Sequence, residues 1–215
     1  MNARGIALLM GLVLLAAVSL LAVMATNGML LQRRMSANFS ADSRALARAT
    51  RGAEAARAWL NSRADFEREA GCTEDCTLPV SIYRAGQLPR NPEFESIAWW
   101  QTHGVASGHH PETGEPLTAG EPDAWPSRWI IEEIRYEPTP AAGEQSLAGV
   151  GYYRILARGS GGNAGSLAVT ESIVARPWGA GLEPVPFPAQ APYTAFCRQF
   201  DPATPCGTLA WRQRR

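Results

Sequence analysis

Residues 1–34 read MNARGIALLMGLVLLAAVSLLAVMATNGMLLQRR. Between Gly5 and Gln32 no side chain is charged, and Ala, Leu, Val and Met dominate the stretch. A helix over residues 6–32 would be about 40 Å long, which exceeds the roughly 30 Å thickness of a bilayer's hydrocarbon core. The sequence therefore predicts one membrane-spanning helix over residues 6–32, after a short leader of residues 1–5.

A cleaved signal peptide is the main alternative reading of this apolar segment. The apolar region of a signal peptide spans about 7–15 residues, whereas this one is longer and runs into a second helical pattern. The flanking charges are Arg4 on one side and Arg33 and Arg34 on the other. Counted alone, they favour a cytoplasmic C-terminal side, but the cysteines favour the opposite orientation.

Four cysteines occur in two local pairs, Cys72 with Cys76 and Cys197 with Cys206. An even number of cysteines in short local pairs downstream of a membrane segment favours disulfides in an oxidising compartment. Three connectivities are possible, and the short spacings favour pairing within each local pair. Free thiols and a metal site are the alternatives, although CTEDC lacks the spacing of a zinc motif.

Charge and composition exclude several functions. The 20 basic and 20 acidic side chains balance, so no basic face for nucleic acid is expected. All 20 basic residues are arginines, and without lysine neither Schiff-base chemistry nor a P-loop is available. No catalytic motif appears in the sequence, and we expect neither an enzyme nor a cofactor.

A second helical pattern follows the apolar segment, over residues 33–70. Its small or apolar residues recur at steps of three and four, which places them on one stripe of a helix. The stripe consists of Leu46, Ala49, Ala53, Ala56 and Leu60. Arginines and Glu54 lie between its members and predict a charged outer face, and Gly71 is the predicted C-cap. The stripe is interpreted as a core face against the chain's own sheet, with a partner helix as the alternative.

Four stretches predict strands of a head that covers residues 71–176. They are Leu78–Arg84, Arg128–Glu137, Val150–Arg158 and Ser166–Arg176. The glycine-rich loop 159–165 joins the last two as a hairpin. The predicted fold class is α+β, with a long N-terminal helix packed on a small antiparallel sheet.

A long excursion over residues 86–127 separates the first two strands, with a short helix predicted near EFESIAWWQTH. Four tryptophans lie in or beside it, and they are interpreted as filling the gap to the sheet or as a partner surface. They are Trp99, Trp100, Trp125 and Trp129. The chain's histidines, His103, His109 and His110, also lie here, and no metal site is predicted from them.

Residues 177–215 form a proline-rich tail that is expected to be extended. Its last part carries the Cys197–Cys206 loop and ends in WRQRR. Such a tail could latch to its own head or to a neighbouring subunit, and the sequence leaves both open.

The N-terminus resembles a type IV prepilin: a very short basic leader ends in glycine and is followed at once by an apolar helix. The resemblance implies cleavage by a prepilin peptidase between Gly5 and Ile6, methylation of the new N-terminus, and an inner-membrane anchor with a periplasmic head that later joins an extracellular pilus. The fifth mature position, where major pilins carry a glutamate used in docking, is Met10.

Two further stretches resemble the PilX-type minor pilins. The first runs from residue 31 to 60 and includes the following matching positions: Leu31, Gln32, Arg34, Met35, Asn38, Ala53, Glu54, Ala55 and Ala56. The second, YYRILARGSGGNAGSLAVTESIVAR, resembles that family's closing hairpin.

This resemblance implies a minor, tip-located or assembly-priming pilus subunit whose partners are other minor and major pilins. Three alternatives are a minor pseudopilin of a type II secretion system, an adhesive or ligand-binding head, and an ordinary membrane-anchored periplasmic protein.

Overall fold

The structure is a computed structural model that describes residues 3–69, 72, 74–117, 125–139, 147–162, 165–179, 182–188 and 194–214. The chain divides into two compact units, residues 1–40 and 41–215. The helices are α1 (Ala3–Ser62), α2 (Ile97–His103) and α3 (Thr194–Cys197), with single 3-10 turns at Asp65–Glu67 and Pro92–Phe94. The strands are β1 (Ile82–Tyr83), β2 (Val105–Ala106), β3 (Arg128–Pro138), β4 (Leu147–Ser160), β5 (Leu167–Gly179) and β6 (Gly207–Arg214).

The first unit is the helical, apolar part of α1. It is long and apolar enough to cross a membrane, and in the single chain its apolar window is wholly exposed. Such a helix satisfies its backbone hydrogen bonds internally, which is the condition for a segment to lie in lipid.

The second unit is built on one six-stranded sheet in the order β1-β3-β4-β5-β6, with β2 pairing beside β1 on the outer edge of β3. The β3–β4, β4–β5 and β5–β6 pairs are antiparallel. The predicted α+β class and the closing β4–β5 hairpin are therefore confirmed. The predicted first strand is reduced to β1, because Pro79 accepts a turn hydrogen bond from Ile82 and Ser81 adopts φ +66°.

Both faces of the sheet are covered. On one face, the α1 residues Ala53, Ala56, Trp59 and Leu60 pack against a cluster that includes Trp129, Tyr153, Ile155 and Val174. On the other face, Trp100 and Leu88 from the excursion pack against Ile130, Leu156 and Val169. The alternation of side chains along β4 divides it between the two layers, as the period of two predicts.

Ala41 and Ala45 continue the small-residue face of α1 beyond Ala49 toward its N-terminal side, where the helix backbone almost contacts β4. Ala45 and Ala49 are fully buried. A Cβ added to Gly159 would lie 2.2 Å from the carbonyl oxygen of Ala45, and one added to Gly161 would lie 2.3 Å from that of Ala41. Small residues on both partners are therefore required here, and the interpretation of the stripe as a core face is confirmed.

The predicted end of α1 was wrong. The helix ends at Ser62, and Gly71 lies outside the described residues. The apolar stripe stops at Leu60, and beyond it the sequence places charges where a continued helix would need core residues. Instead, the Ala64 N–H donates to Oε1 of Glu67 over 2.8 Å, which starts the 3-10 turn.

The tail also differs from its predicted form, because residues 207–214 are β6, the final strand of the head's own sheet. The charged-face prediction was wrong for Arg57, which is 9% exposed and donates to Oγ1 of Thr208 over 2.9 Å. The tail therefore latches in cis, partly on α1.

We predict that Gly159→Ala destabilises the head. The added methyl group would meet backbone atoms of α1, and overpacking of this kind costs about 1–3 kcal/mol. Thermal unfolding of the full chain in detergent, followed by circular dichroism, should show a melting temperature lower by roughly 3–10 °C.

Gly28→Ala is the control, since a Cβ there meets nothing within 4 Å. A wild-type melting temperature for Gly159→Ala would show that α1 and β4 are not in close backbone contact.

Candidate assembly surfaces

The first candidate surface is the apolar helix of unit 1. Thirteen large apolar side chains between Met10 and Leu31 are 51–71% exposed. Burying them would release on the order of 20 kcal/mol, which exceeds the roughly 5–15 kcal/mol stability of a typical domain. This surface therefore needs a bilayer or other apolar helices around it.

The predicted processing residues lie at the start of this helix. Gly5 and Ile6 belong to the first turns of α1, where the structure describes only the backbone. Met10 is 67% exposed, so its side chain is available to a neighbouring helix.

Both predicted disulfides are formed. Cys72 is bonded to Cys76 and Cys197 to Cys206, with a Cα–Cα distance of 5.6 Å in each. The second disulfide joins α3 to the residue directly before β6. It therefore links the start of the last strand to α3.

A buried ionic network joins the segment after α1 to the sheet. Arg68 donates from Nε and Nη2 to the two carboxylate oxygens of Glu133, over 2.9 and 2.8 Å. Tyr153 donates to the same carboxylate over 2.7 Å and accepts from Nε1 of Trp178 over 2.8 Å. The Arg68 guanidinium also lies 3.3 Å from the centre of the Tyr136 ring. Four segments of the chain are thus tied together at one point.

Burial dominates the chemistry of this network. Complete burial raises the pKa of the Tyr153 phenol well above its ordinary value, and the adjacent Glu133 carboxylate raises that pKa further. The phenol therefore stays protonated and donates its hydrogen bond throughout the physiological range. A paired guanidinium and a protonated phenol make this a structural cluster, which holds the end of α1 on the sheet.

A second buried arginine supports the same end of α1. Arg176 is 1% exposed and donates to the carbonyl oxygen of Arg63. Its guanidinium lies 3.5 Å from the Trp178 ring centre and 5.0 Å from that of Phe196. Burial lowers the pKa of Arg176 to about 10.

The neighbouring carboxylates Glu132 and Glu133 work separately, as strand alternation predicts. Glu132 pairs with Nη2 of Arg154 at 2.6 Å and accepts from the Gly86 N–H over 2.9 Å. It therefore fastens the start of the excursion, whereas Glu133 serves the opposite face of β3.

Two of the four tryptophans in or beside the excursion are core residues. Trp100 and Trp129 are 0% and 1% exposed, and Nε1 of Trp100 donates to the carbonyl oxygen of Pro92 over 2.8 Å. Trp99 is half-buried and stacks on His103, while Trp125 is 45% exposed. The gap-filling interpretation holds for Trp100, and truncating the excursion would remove part of the core.

His103 and His110 contact different parts of the head, and His109 is adjacent to His110 in the chain. His103 stacks on Trp99, and His110 makes an edge contact with Trp59, with 5.3 Å between ring centres. Among the described residues no three His, Cys, Asp or Glu side chains are grouped as a metal site would require.

Two structural features were not predicted from the sequence. The first is β6, although GTLAWRQR alternates polar and apolar residues over part of its length, which is a strand signal. The second is the Arg68–Glu133 pair, for which the sequence carries no local signal, because its partners are 65 residues apart.

Comparison with protein families gives two matches. The family described as type IV pilus assembly protein PilX, C-terminal part, matches residues 37–176, and the PilX N-terminal family matches residues 4–56. The chain belongs to the PilX family. Comparisons with curated proteins and with solved structures found no match.

Membership assigns the chain a minor-pilin or assembly role in type IV pili and implies contact with other pilins. It favours the pilus over the secretion pseudopilus. The N-terminal apolar helix fits a membrane-anchored PilX protein. Both matches end by residue 176, so the tail and β6 lie outside the family match.

We predict that Glu133→Gln strongly destabilises the head, since it leaves the buried Arg68 cation unpaired. Breaking one partner of a buried ion pair costs about 3–5 kcal/mol. Chemical denaturation of the full chain in detergent measures this loss.

Asp75→Asn is the matched control. It removes a pair with Arg84 at 3.0 Å in which the two side chains are 96% and 45% exposed, and exposed pairs contribute little. Equal denaturation midpoints for the two variants would contradict the role assigned to the Arg68–Glu133 network.

Proposed function

We propose that this chain is a minor subunit of a type IV pilus, processed by prepilin peptidase between Gly5 and Ile6. Before assembly the apolar part of α1 anchors it in the inner membrane, with the head in the periplasm. After cleavage and methylation of the new N-terminus, the helix leaves the membrane and enters the filament. The exposed apolar surface between Met10 and Leu31 is the observation that carries the proposal.

The energetics support this use of one surface in two places. The same apolar side chains lose contact with water in lipid and among neighbouring helices. Transfer between these surroundings therefore needs little change in solvation. A helix that serves only as a membrane anchor needs only the contact with lipid. We assign this chain no catalytic step and no cofactor.

The orientation of the head is supported by its disulfides. Cys72–Cys76 and Cys197–Cys206 are both formed, and disulfides persist in the periplasm but are rare in the cytosol. This outweighs the arginines at positions 33 and 34, which alone would favour a cytoplasmic head.

Met10 supports a place at the filament tip. A glutamate at the fifth mature position of a pilin meets the N-terminus of a neighbouring subunit. A subunit at the tip has no neighbour above it, so an apolar residue is sufficient at this position. In this role the chain would prime assembly instead of repeating along the shaft.

We predict that the mature chain begins at methylated Ile6 only in cells that contain prepilin peptidase. Mass spectrometry of the membrane-purified protein, from cells with and without the peptidase, measures this directly. Gly5→Glu should keep Met1 at the N-terminus because it changes the residue at the cleavage site.

Gly11→Ala is the control, since it alters a glycine of the same helix with nothing within 4 Å, and should be processed normally. Recovery of Met1 in the presence of the peptidase would identify an ordinary anchored protein and remove the argument for a pilus subunit.

We also predict that Met10→Glu moves the subunit from the filament end into the shaft, since it restores the group that meets a neighbour's N-terminus. Immunogold labelling of sheared filaments measures the position. Met10→Ala, which stays apolar, should keep the label at the ends. Label along the shaft in the wild type would contradict the tip assignment.

A further inference from the structure

The strand β6 leaves one edge of the sheet open. β6 pairs with β5 on one side and is the last strand of the sheet. An antiparallel edge strand points alternate N–H and C=O groups away from its neighbour. Within the part of the chain that the structure describes, no backbone hydrogen bond joins β6 to anything other than β5.

The opposite edge of the sheet is protected. The outer side of β3 is covered by the two-residue strands β1 and β2 over part of its length. Beyond them, β3 has a register shift between Glu133 and Arg135 and ends at Pro138. Short covering strands, bulges and proline are the usual devices that prevent an edge from pairing.

The β6 edge carries exposed apolar side chains at positions where a feature that prevents strand pairing would be expected. Leu209 and Trp211 are 51% and 52% exposed. The pairing with β5 skips Leu209, and this irregularity prevents regular pairing at the start of β6. The regular part of the edge therefore runs over 210–214. Trp211 lies opposite Ser172 in this stretch.

The arginines of β6 do not prevent strand pairing at this edge either. Arg212 and Arg214 each reach back to Glu171 at 2.6 Å, and Arg214 also pairs with Glu93 at 3.0 Å. Their charges are thus directed over the sheet. Arg212 remains 63% exposed, with N–H donors left for a carboxylate on an added strand.

We propose that the outer edge of β6, at 210–214, receives an extended strand from a different subunit of the same pilus. The added strand would hydrogen-bond along the backbone, place an apolar side chain beside Trp211 and place an acidic one beside Arg212. Strand addition of this kind takes its affinity from main-chain hydrogen bonds and its specificity from alternate side chains. The inference rests on the proposed function, which supplies neighbouring subunits.

A second copy of this chain does not fit the edge. Antiparallel pairing of two β6 strands requires a two-fold axis normal to the sheet. That axis reverses every direction in the plane of the sheet, including that of the α1 residues 41–62 packed on it. Subunits that share one membrane insert in the same direction. Head-to-tail pairing of copies would need the β3 edge, which is protected.

The test uses the full chain in piliated cells, with a benzophenone-bearing phenylalanine at Trp211 or, in a second variant, at Gln213. Both side chains are on the same face of β6. After irradiation, we expect cross-links to a different pilin at two partner residues that lie two apart, because side chains of paired strands advance together.

The same photoreactive residue at Val80, which is 53% exposed and precedes β1 on the other side of the sheet, is the control. A chain that carries the photoreactive residue at position 80 should give no cross-link to the other pilin. Misfolding of a variant would be detected as loss of its disulfides. If one of the two variants misfolds, the other still tests the proposal.

Several outcomes would overturn the proposal. Cross-links to a second copy of this chain would identify self-association. If chains that start at Ile6 and enter the filament cross-link only to lipid, or to nothing, strand addition at the β6 edge would be refuted, whereas the proposed function would stand. Cross-links to partner residues that do not form one extended run would show a contact without strand addition. A chain absent from the filament would overturn the proposed function and the partner named here together.

Discussion

The close approach between α1 and β4 is the constraint on which the rest of the head depends. Ala45 on the helix and Gly159 on the strand lie almost in backbone contact. Arg48 and Arg44 then reach the carbonyl oxygens of Ser160 and Gly161 over 2.7 and 3.3 Å. Because the two backbones are so close, only small side chains fit between them at Ala45 and Gly159. The largest buried side chains of the helix, Trp59 and Leu60, lie at its C-terminal end.

That C-terminal end is where the stabilising interactions concentrate. Trp59 and Leu60 fill the space below the sheet, while Arg68 and Glu133 link the following turn to β3. Buried charges are costly to desolvate, and they are tolerated when every partner is in place. Here the pair is extended by Tyr153 and Trp178, so the segment after α1 and the three strands β3, β4 and β5 form one connected network.

The two kinds of surface on this chain suit different partners. The apolar part of α1 is non-directional and can exchange lipid for neighbouring helices, because hydrophobic contact depends on area more than on geometry. The edge of β6 is directional, since backbone hydrogen bonds require a strand in register. A subunit with both surfaces can first associate through its apolar helix without a fixed geometry, and then bind one partner specifically through the β6 edge. The family match ends at residue 176, so β6 lies outside the matched part of the chain.

The sequence by itself determined the elements whose signals are local. The uncharged run after Gly5, the alanine stripe, the period of two in β4 and β5 and the short cysteine spacings each depend on residues close together in the chain, and each predicted its element. The PilX motifs near residues 31–56 likewise identified the family. The tertiary structure alone decided where α1 ends, that Arg57 is buried, that Arg68 meets Glu133, and that the tail returns to pair with β5. These features depend on residues that are far apart in sequence. Their energies arise only when packing removes both partners from water, so no local pattern encodes them.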